Sequence, residues 1–273
     1  MLRKLLIFSS TLFLFACNNS SSSGSAELTP EVNAPATINY SVVNVFPHDT
    51  TSYTEGFLVH DGQLYESTGY SPEDAPSSKS LFGIVDLKTG KIQPKVEIDK
   101  KKYFGEGITY LDGKWYQLTY TTKVGFIYDG KTFKKIGEFT FPSEQGWGLT
   151  TDGTHLVMSD GTSNINFIDP TTFRVAKILG VTDNNGPVSN INDLEIINGY
   201  IYANQWQTNY ILKIDTASGK VVGRLDLSTL ATEAQNKYPQ SNTLNGIAFD
   251  PATNRIFVTG KLWPNIYEIK FNF

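Results

Sequence analysis

Cysteine, histidine and basic residues are scarce in this sequence, and each shortage argues against a class of function. The 273 residues include a single cysteine, Cys17, so no disulfide can form within the chain. The three histidines, His48, His60 and His155, lack the spacing of zinc ligands, and each is predicted to lie in a turn or on the surface. Lysine and arginine number 23 against 27 acidic residues, and the net charge of −4 gives no basic surface for nucleic acid.

Two common catalytic patterns are missing as well. No glycine-rich phosphate-binding loop opens a helix, and few helices are predicted at all. The segment 160–163 has the composition of a turn, and no histidine is placed to make a serine triad with it. Aromatic residues are plentiful, at 13%, whereas charged residues reach only 18%. This composition is typical of a β-rich globular protein with a sizeable core.

The apolar run 5–16 is too short to span a bilayer, and it follows Arg3 and Lys4 as in a secretory signal peptide. It ends in Leu-Phe-Ala-Cys at 14–17, which resembles the lipobox of bacterial lipoproteins. The resemblance implies a signal peptide over 1–16, lipid on the Cys17 sulfur and a protein anchored in the cell envelope. The Ser-, Asn- and Pro-rich segment up to residue 37 is predicted to be a flexible tether. An ordinary signal peptide that contains a cysteine is the alternative.

A short motif recurs five times along the chain. In its clearest copy, the segment 104–107 precedes an apolar strand, an Asp112-Gly113 turn and a second apolar strand. An Asp-Gly pair between alternating apolar runs is the strongest short-range hairpin signal, because the turn needs positive φ. The copies start at intervals of 41 to 53 residues, at Glu55, Glu106, Trp147, Asn192 and Asn245. Five such units predict an all-β domain, a five-bladed β-propeller, over residues 38–273.

Counting strands predicts how the ring of blades closes. The first four units carry four strands each, whereas the fifth has only three, at 245–250, 255–259 and 265–271. The β-branched segment 38–46 has no hairpin partner nearby. Pairing 38–46 with 265–271 would complete the fifth blade and remove two open sheet edges. The longer insertions are predicted to be loops that shape a binding face, and they cover 71–79, 183–190 and 228–243.

Equivalent positions in the repeats form two rings around the expected propeller axis. The first ring lies just ahead of the inner strands and contains Glu55, Glu106, Trp147, Asn192 and Asn245. The second lies near the end of the next strand and contains Gly69, Tyr120, Gly161, Trp206 and Lys261. Residue types vary at these positions while the neighbouring Gly-apolar pattern persists, which indicates a site built on a common scaffold. The alternatives are solvated rim carboxylates and ordinary core tryptophans.

Six motifs occur in order between residues 41 and 270. They are Phe-Gly-Glu-Gly (104–107), Gly-Trp-Gly-Leu-Thr-Thr-Asp-Gly (146–153), Asn-Asp-Leu-Glu (192–195), Ala-Asn-Gln-Trp-Gln-Thr (203–208), Leu-Asn-Gly-Ile-Ala (244–248) and Thr-Gly-Lys-Leu-Trp-Pro (259–264). Together they resemble the plant-type glutaminyl-peptide cyclotransferases, and the last motif is the most specific. The resemblance implies a five-bladed propeller, in agreement with the repeat count. It also implies metal-independent conversion of a peptide's N-terminal glutamine to 5-oxoproline with release of ammonia, without a cofactor.

The resemblance assigns roles to particular residues. It makes Glu106 the catalytic carboxylate, and it places the family's other site positions on Phe104, Trp147, Asn192, Trp206 and Lys261. The sequence departs from the plant pattern at Glu55, where those enzymes carry glutamine, and at Tyr120, where they carry tryptophan. Both departures fall on expected substrate-binding positions.

The implied chemistry suits these residue types. The α-amine of the substrate must lose a proton as it attacks the γ-carboxamide, and the departing nitrogen must gain one. One carboxylate, Glu106, can shuttle that proton if it lies within hydrogen-bonding reach. Lys261 or Asn192 could stabilise the developing oxyanion, and the tryptophans could hold the glutamine folded back on its amine.

Two rival functions stay open at the level of sequence. A calcium-dependent propeller lactonase or esterase would use the oxygens of Glu55, Glu106, Asn192 and Asn245 as metal ligands, although Lys261 would bring a positive charge to the same place. A non-catalytic propeller would bind peptides or glycans at the cell surface and leave them unchanged. For the cyclotransferase, a monomer is expected whose partners are peptides or proteins with an N-terminal glutamine.

Overall fold

The computed structural model describes residues 34–273, and these form twenty-three strands and one α-helix. The predicted signal peptide, Cys17 and most of the predicted tether lie outside the described residues. Two strands precede the blades: β1 (Ala36–Thr37) and β2 (Tyr40–Pro47). Among the residues that the structure describes, no helix is long and apolar enough to cross a membrane.

Five antiparallel sheets follow one another along the chain, each with its first strand at the axis. The first blade is built from β3 (Thr54–His60), β4 (Gln63–Thr68), β5 (Leu81–Asp86) and β6 (Lys91–Glu97). The second is built from β7 (Gly105–Leu111), β8 (Lys114–Thr119), β9 (Val124–Asp129) and β10 (Lys135–Thr140). The third is built from β11 (Leu149–Thr151), β12 (Leu156–Ser159), β13 (Asn164–Ile168) and β14 (Val175–Gly180).

A small hairpin separates the third blade from the fourth, and a helix separates the fourth from the fifth. The hairpin consists of β15 (Thr182–Asp183) and β16 (Gly186–Pro187). The fourth blade is built from β17 (Ile191–Ile197), β18 (Tyr200–Gln205), β19 (Tyr210–Asp215) and β20 (Val221–Asp226). After α1 (Ser228–Lys237), the fifth blade is built from β21 (Leu244–Asp250), β22 (Arg255–Gly260) and β23 (Asn265–Phe271).

The two ends of the described chain complete the fifth and fourth blades. β2 pairs antiparallel with β23, with Tyr40 opposite Phe271 and Pro47 opposite Asn265. This confirms the prediction of a five-bladed propeller closed by strands from both ends of the chain. β1 adds to β20 in parallel, with Ala36 opposite Gly223. The last residues of the predicted tether, 36 and 37, therefore form part of the fourth blade's sheet.

Two of the three segments predicted as loops contain regular structure. Segment 228–243 contains α1, whose Leu230, Ala231 and Ala234 are buried in the core between the fourth and fifth blades. Its serine, threonine and asparagine content conceals this narrow apolar stripe, which spans only one face of the helix. Segment 183–190 contributes to the β15–β16 hairpin.

A separate apolar core fills each of the five contacts between neighbouring blades. Between the first and second blades, the fully buried Trp115 packs with its ring centroid 4.4 Å from that of Tyr65. Replacing a buried tryptophan by alanine typically costs about 3–5 kcal/mol. The inner strands are buried on both sides because every blade has two neighbours, so the ring forms one rigid support for side chains at the axis.

Irregular pairing marks four of the five inner strands at the positions of the first ring. The register shifts within β3 between Thr54 and Gly56, and within β7 between Gly105 and Ile108. Equivalent shifts occur at 191–194 in β17 and at 244–247 in β21. A β-bulge releases a residue from regular pairing and redirects its side chain. The bulges therefore aim Glu55, Glu106 and Asn192 into the mouth of the axis.

Asp193 ties the inner strands together below that mouth. Its Oδ2 accepts hydrogen bonds from the backbone N–H groups of Ile247, at 2.9 Å, and Phe57, at 3.2 Å. The carboxyl therefore joins the fourth blade to the fifth and the first. Burial raises the pKa of Asp193, and the hydrogen bonds from these two amides oppose that rise.

His48 corrects a prediction made from the sequence, which placed it in a turn or on the surface. It is buried, and its Nε2 lies 3.1 Å from both carboxylate oxygens of Glu66 while its Nδ1 lies 2.8 Å from the Trp263 carbonyl oxygen. Burial alone would lower the pKa of His48, but the charge and hydrogen bond of Glu66 and the Trp263 carbonyl raise it. The pair links the closing strand to the first and fifth blades.

Candidate active site

A cavity of about 850 Å³ opens at the end of the axis where the first ring lies. Eight of the ten ring positions line it, and Phe104 does so as well. The two ring residues outside the lining are Gly69, which lies behind the Phe104 ring, and Asn245, which bonds to Glu55 from below. The structure therefore brings together every residue predicted to be catalytic or substrate-binding: Glu55, Phe104, Glu106, Tyr120, Trp147, Asn192, Trp206 and Lys261.

An ion pair occupies the floor of the cavity. Lys261 Nζ lies 2.6 Å from Glu55 Oε1, and both side chains are almost completely buried. Asn245 Nδ2 donates to the other oxygen of Glu55 at 3.3 Å and to the Thr54 carbonyl at 3.0 Å. The Lys261 ammonium also lies 4.6 Å from the ring centroid of Tyr53, in a cation–π contact. Both oxygens of Glu55 are thus engaged by protein donors.

Glu106 lies beside this ion pair, close enough to Glu55 for each carboxyl to influence the pKa of the other. Two neighbouring buried carboxyl groups do not both ionise readily, so one of them favours its protonated form. Burial raises the pKa of Glu106, and the charge on Glu55 raises it further. Burial also raises the pKa of Glu55, but the Lys261 ammonium opposes that rise. These effects favour the protonated form of Glu106 and the carboxylate form of Glu55, which balances Lys261.

Two buried acceptor oxygens in the cavity have no hydrogen-bond partner among the described residues. They are Glu106 Oε2 and Asn192 Oδ1. Leaving a buried polar atom unpaired costs about 1–3 kcal/mol, so such atoms are rare in folded proteins. Both residues line the cavity, so a ligand that brings N–H groups into it could supply the missing donors.

Aromatic rings form the walls of the cavity. Trp147 and Trp206 meet edge to face, with ring centroids 5.5 Å apart, and Trp147 Nε1 donates to Gln145 Oε1 at 2.9 Å. On the opposite side, the rings of Phe104 and Tyr120 are 5.8 Å apart. These walls suit an uncharged, partly apolar group, whereas the floor presents charge.

Sequence reasoning missed Tyr53 as a site residue. Its ring lies over Lys261 and edge to face with Phe104, and its hydroxyl donates to Asp74 Oδ2 at 3.0 Å. The signal was present in the repeats, because Tyr53 precedes Glu55 by two residues as Phe104 precedes Glu106. The segment 160–163 was correctly predicted to be a turn, but it also borders the cavity through residues 160–162.

Comparison with known proteins agrees with the geometry of this cavity. The family model described as glutamine cyclotransferase matches residues 11–271. The glutaminyl-peptide cyclotransferase of Arabidopsis thaliana is 37% identical over 276 residues, which cover 99% of this chain and 82% of that protein. The crystal structure of Myxococcus xanthus glutaminyl cyclase superposes with a TM-score of 0.77 at 33% identity, covering 87% of this chain and 98% of that one. The chain therefore belongs to the glutamine cyclotransferase family.

Proposed function

We propose that the axial cavity is where this glutaminyl-peptide cyclotransferase folds an N-terminal glutamine onto its own α-amine and closes the ring. The observation that carries the proposal is the buried, unpaired pair of acceptors, Glu106 Oε2 and Asn192 Oδ1. An N-terminal glutamine brings both an amine and a carboxamide, and each group carries N–H donors. The substrates that follow from this are peptides or proteins that begin with glutamine.

The aromatic walls supply orientation. Trp147 and Trp206 leave a narrow, partly apolar space in which the methylene groups of glutamine can pack. A folded glutamine brings the α-nitrogen close to Cδ of the carboxamide, and holding reacting atoms in that geometry removes much of the entropic barrier. Asn192 Oδ1 accepts an N–H of the substrate and keeps its nitrogen in place.

Glu106 carries the proton. When the neutral α-amine attacks Cδ, a C–N bond forms, and the carbonyl oxygen becomes an oxyanion. Glu106 donates its proton to the departing nitrogen, the old C–N bond breaks, and ammonia leaves. The attacking nitrogen returns one proton to Glu106, so the carboxyl ends the cycle in the state in which it began.

Lys261 stabilises the oxyanion. Its ammonium is held between Glu55 and the Tyr53 ring inside a largely buried floor. A fixed positive charge in a water-poor site stabilises developing negative charge more strongly than water does. Glu55 in turn keeps Lys261 in place. The same contact argues against the rival calcium site, because the Lys261 ammonium occupies the position beside Glu55 where a metal ion would have to bind.

The experiment compares two synthetic peptides of the same sequence, one with a free N-terminal glutamine and one with that amine acetylated. The free peptide should lose one ammonia by mass, with ammonia released in equal amount. The acetylated peptide should stay unchanged, because its nitrogen cannot attack. Binding without any mass change in the free peptide would favour the non-catalytic propeller and contradict the proposal.

We also propose that the enzyme works as a lipid-anchored monomer at the cell envelope. The support is the lipobox-like segment that ends at Cys17 and the Ser-, Asn- and Pro-rich composition of the residues that follow it. A tether between these points would let the cavity reach peptides at some distance from a membrane. All five blades contribute residues to the cavity, which supports a site that is complete within one chain.

A further inference from the structure

Glycines lie directly behind two aromatic walls of the cavity. A Cβ atom built on Gly69 would lie 2.1 Å from Cε1 and from Cζ of Phe104. A Cβ atom on Gly161 would lie 2.6 Å from Cζ2 of Trp147. Packed interiors have no room for contacts this short. The two rings therefore fill the space that the Cβ of any other residue would need.

We propose that Gly69 and Gly161 are positioning residues that keep the Phe104 and Trp147 rings back against the cavity wall and so set the cavity's width. The clashing atoms belong to the outer edges of the two rings, which can turn away without moving the backbone. Both rings border the cavity, so they would turn into the space reserved for the substrate. This inference rests on the proposed function of the cavity.

Two buried glycines in or next to the inner strands β7 and β11 have a different task. A Cβ on Gly107 would lie 2.4 Å from the backbone nitrogen of Leu149, and one on Gly148 would lie 2.3 Å from the carbonyl oxygen of Asn192. These atoms belong to neighbouring blades and cannot turn aside. Alanine at Gly148 should therefore disturb the fold, whereas alanine at Gly69 should disturb only the cavity.

Backbone conformation separates the two positioning glycines. Gly161 has a φ of +78°, where an L-residue is strained whatever its surroundings. Gly153 has a similar φ of +85° with nothing within 4 Å of its Cβ position, so Gly153→Ala measures that strain alone. Gly69 does not have a left-handed conformation, so Gly69→Ala tests the clash with Phe104 directly.

The experiment measures kcat, KM and thermal unfolding for Gly69→Ala, Gly161→Ala, Gly153→Ala and Gly148→Ala on one glutamine-initiated peptide. We expect Gly69→Ala and Gly161→Ala to lose about 10- to 100-fold in kcat/KM, since small misplacements near a reacting centre have effects of that order. Gly69→Ala should melt like the wild type and Gly161→Ala like Gly153→Ala. Gly148→Ala should melt at a lower temperature. Wild-type kinetics in Gly69→Ala, or a loss of activity explained by its lower melting temperature, would overturn the inference.

A second background shows whether Gly69 acts through the ring. In a Phe104→Ala enzyme there is no ring to displace, so adding Gly69→Ala should change kcat/KM by less than about twofold. An equal loss in both backgrounds would show that Gly69 acts in another way. A crystal structure of ligand-free Gly69→Ala gives a readout independent of activity, because it should show the Phe104 ring turned into the cavity. An inactive wild type would instead contradict the proposed function.

Discussion

Glu55→Gln is the substitution that best distinguishes the role of Glu55 from that of Glu106 on the cavity floor. It removes one negative charge, restores the residue type of the plant pattern and leaves the shape of the side chain almost unchanged. In the wild type, the charge on Glu55 helps to raise the pKa of Glu106. Without it, Lys261 becomes the nearest charge to Glu106 and favours its ionised form. The pKa of Glu106 should therefore fall.

The order of magnitude of the effect follows from Coulomb's law. Two unit charges about 4 Å apart interact by about 4 kcal/mol at the effective dielectric of a partly buried site. Since 1.36 kcal/mol corresponds to one pH unit, the loss of Glu55 charge is easily resolved in a pH series. We expect the limb of the kcat/KM profile that belongs to Glu106 to move to lower pH. The rate at the new optimum should stay within about tenfold of the wild type, because the proton carrier remains.

The assay follows ammonia release from a glutamine-initiated peptide across a pH series, for the wild type, Glu55→Gln and a matched control. The control is Glu144→Gln, which also neutralises a carboxylate at the cavity, but one whose side chain is 87% exposed and paired with Lys123. Its profile should match that of the wild type. An unshifted profile for Glu55→Gln, or its inactivity at every pH, would refute the assignment of the proton to Glu106.

Three further predictions concern the fold and the anchor. A variant that begins at Pro47 loses β2 and should lose cooperative urea unfolding, because β23 would be left as an open edge; unfolding like that of the full domain would contradict closure by β2. Cys17→Ser should release the protein from membranes or leave its signal peptide uncut, as fractionation and N-terminal mass analysis would show, and an unmodified wild-type N-terminus would count against a lipoprotein. His48→Gln should destabilise the fold by about 3–5 kcal/mol at pH 6, since it leaves Glu66 buried without its cation. The folded-state pKa of His48 is raised, so the wild type's advantage should be complete below the unfolded-state pKa of about 6.5 and should be lost as the pH rises from there through the higher folded-state pKa; a difference that grows with pH would contradict this.

Much of the fold could be predicted from the sequence because one motif recurs in all five blades. Asp112-Gly113 and its counterparts fix hairpins through positive φ, and Asp112 and Gly113 do have φ values of 49° and 76°. The unpaired segment 38–46 and the three-stranded fifth unit together predicted the closure. The helix α1 was missed because a ten-residue helix with three buried residues has too weak a periodicity to stand out from a polar loop.

The site's composition could be predicted, but its internal pairing could not. Alignment of the repeats predicts that Glu55, Glu106 and Lys261 lie near the same opening of the propeller axis. It does not show that Lys261 binds Glu55 rather than Glu106, because that choice depends on side-chain directions set by the bulges in β3 and β7. The role of Gly69 was hidden for a similar reason, since its partner Phe104 belongs to the next blade. Contacts across blades depend on packing, which local sequence does not encode.

Glu106→Gln tests the central claim most directly. The substitution keeps the size and hydrogen-bonding capacity of the side chain but removes its ability to carry a proton. On a glutamine-initiated peptide, kcat should fall by about 10²–10⁴-fold, the usual contribution of a general acid–base group, while KM changes little because the aromatic walls and Lys261 remain. A kcat within a few-fold of the wild type, especially if Glu55→Gln is inactive, would show that Glu106 is not the proton carrier.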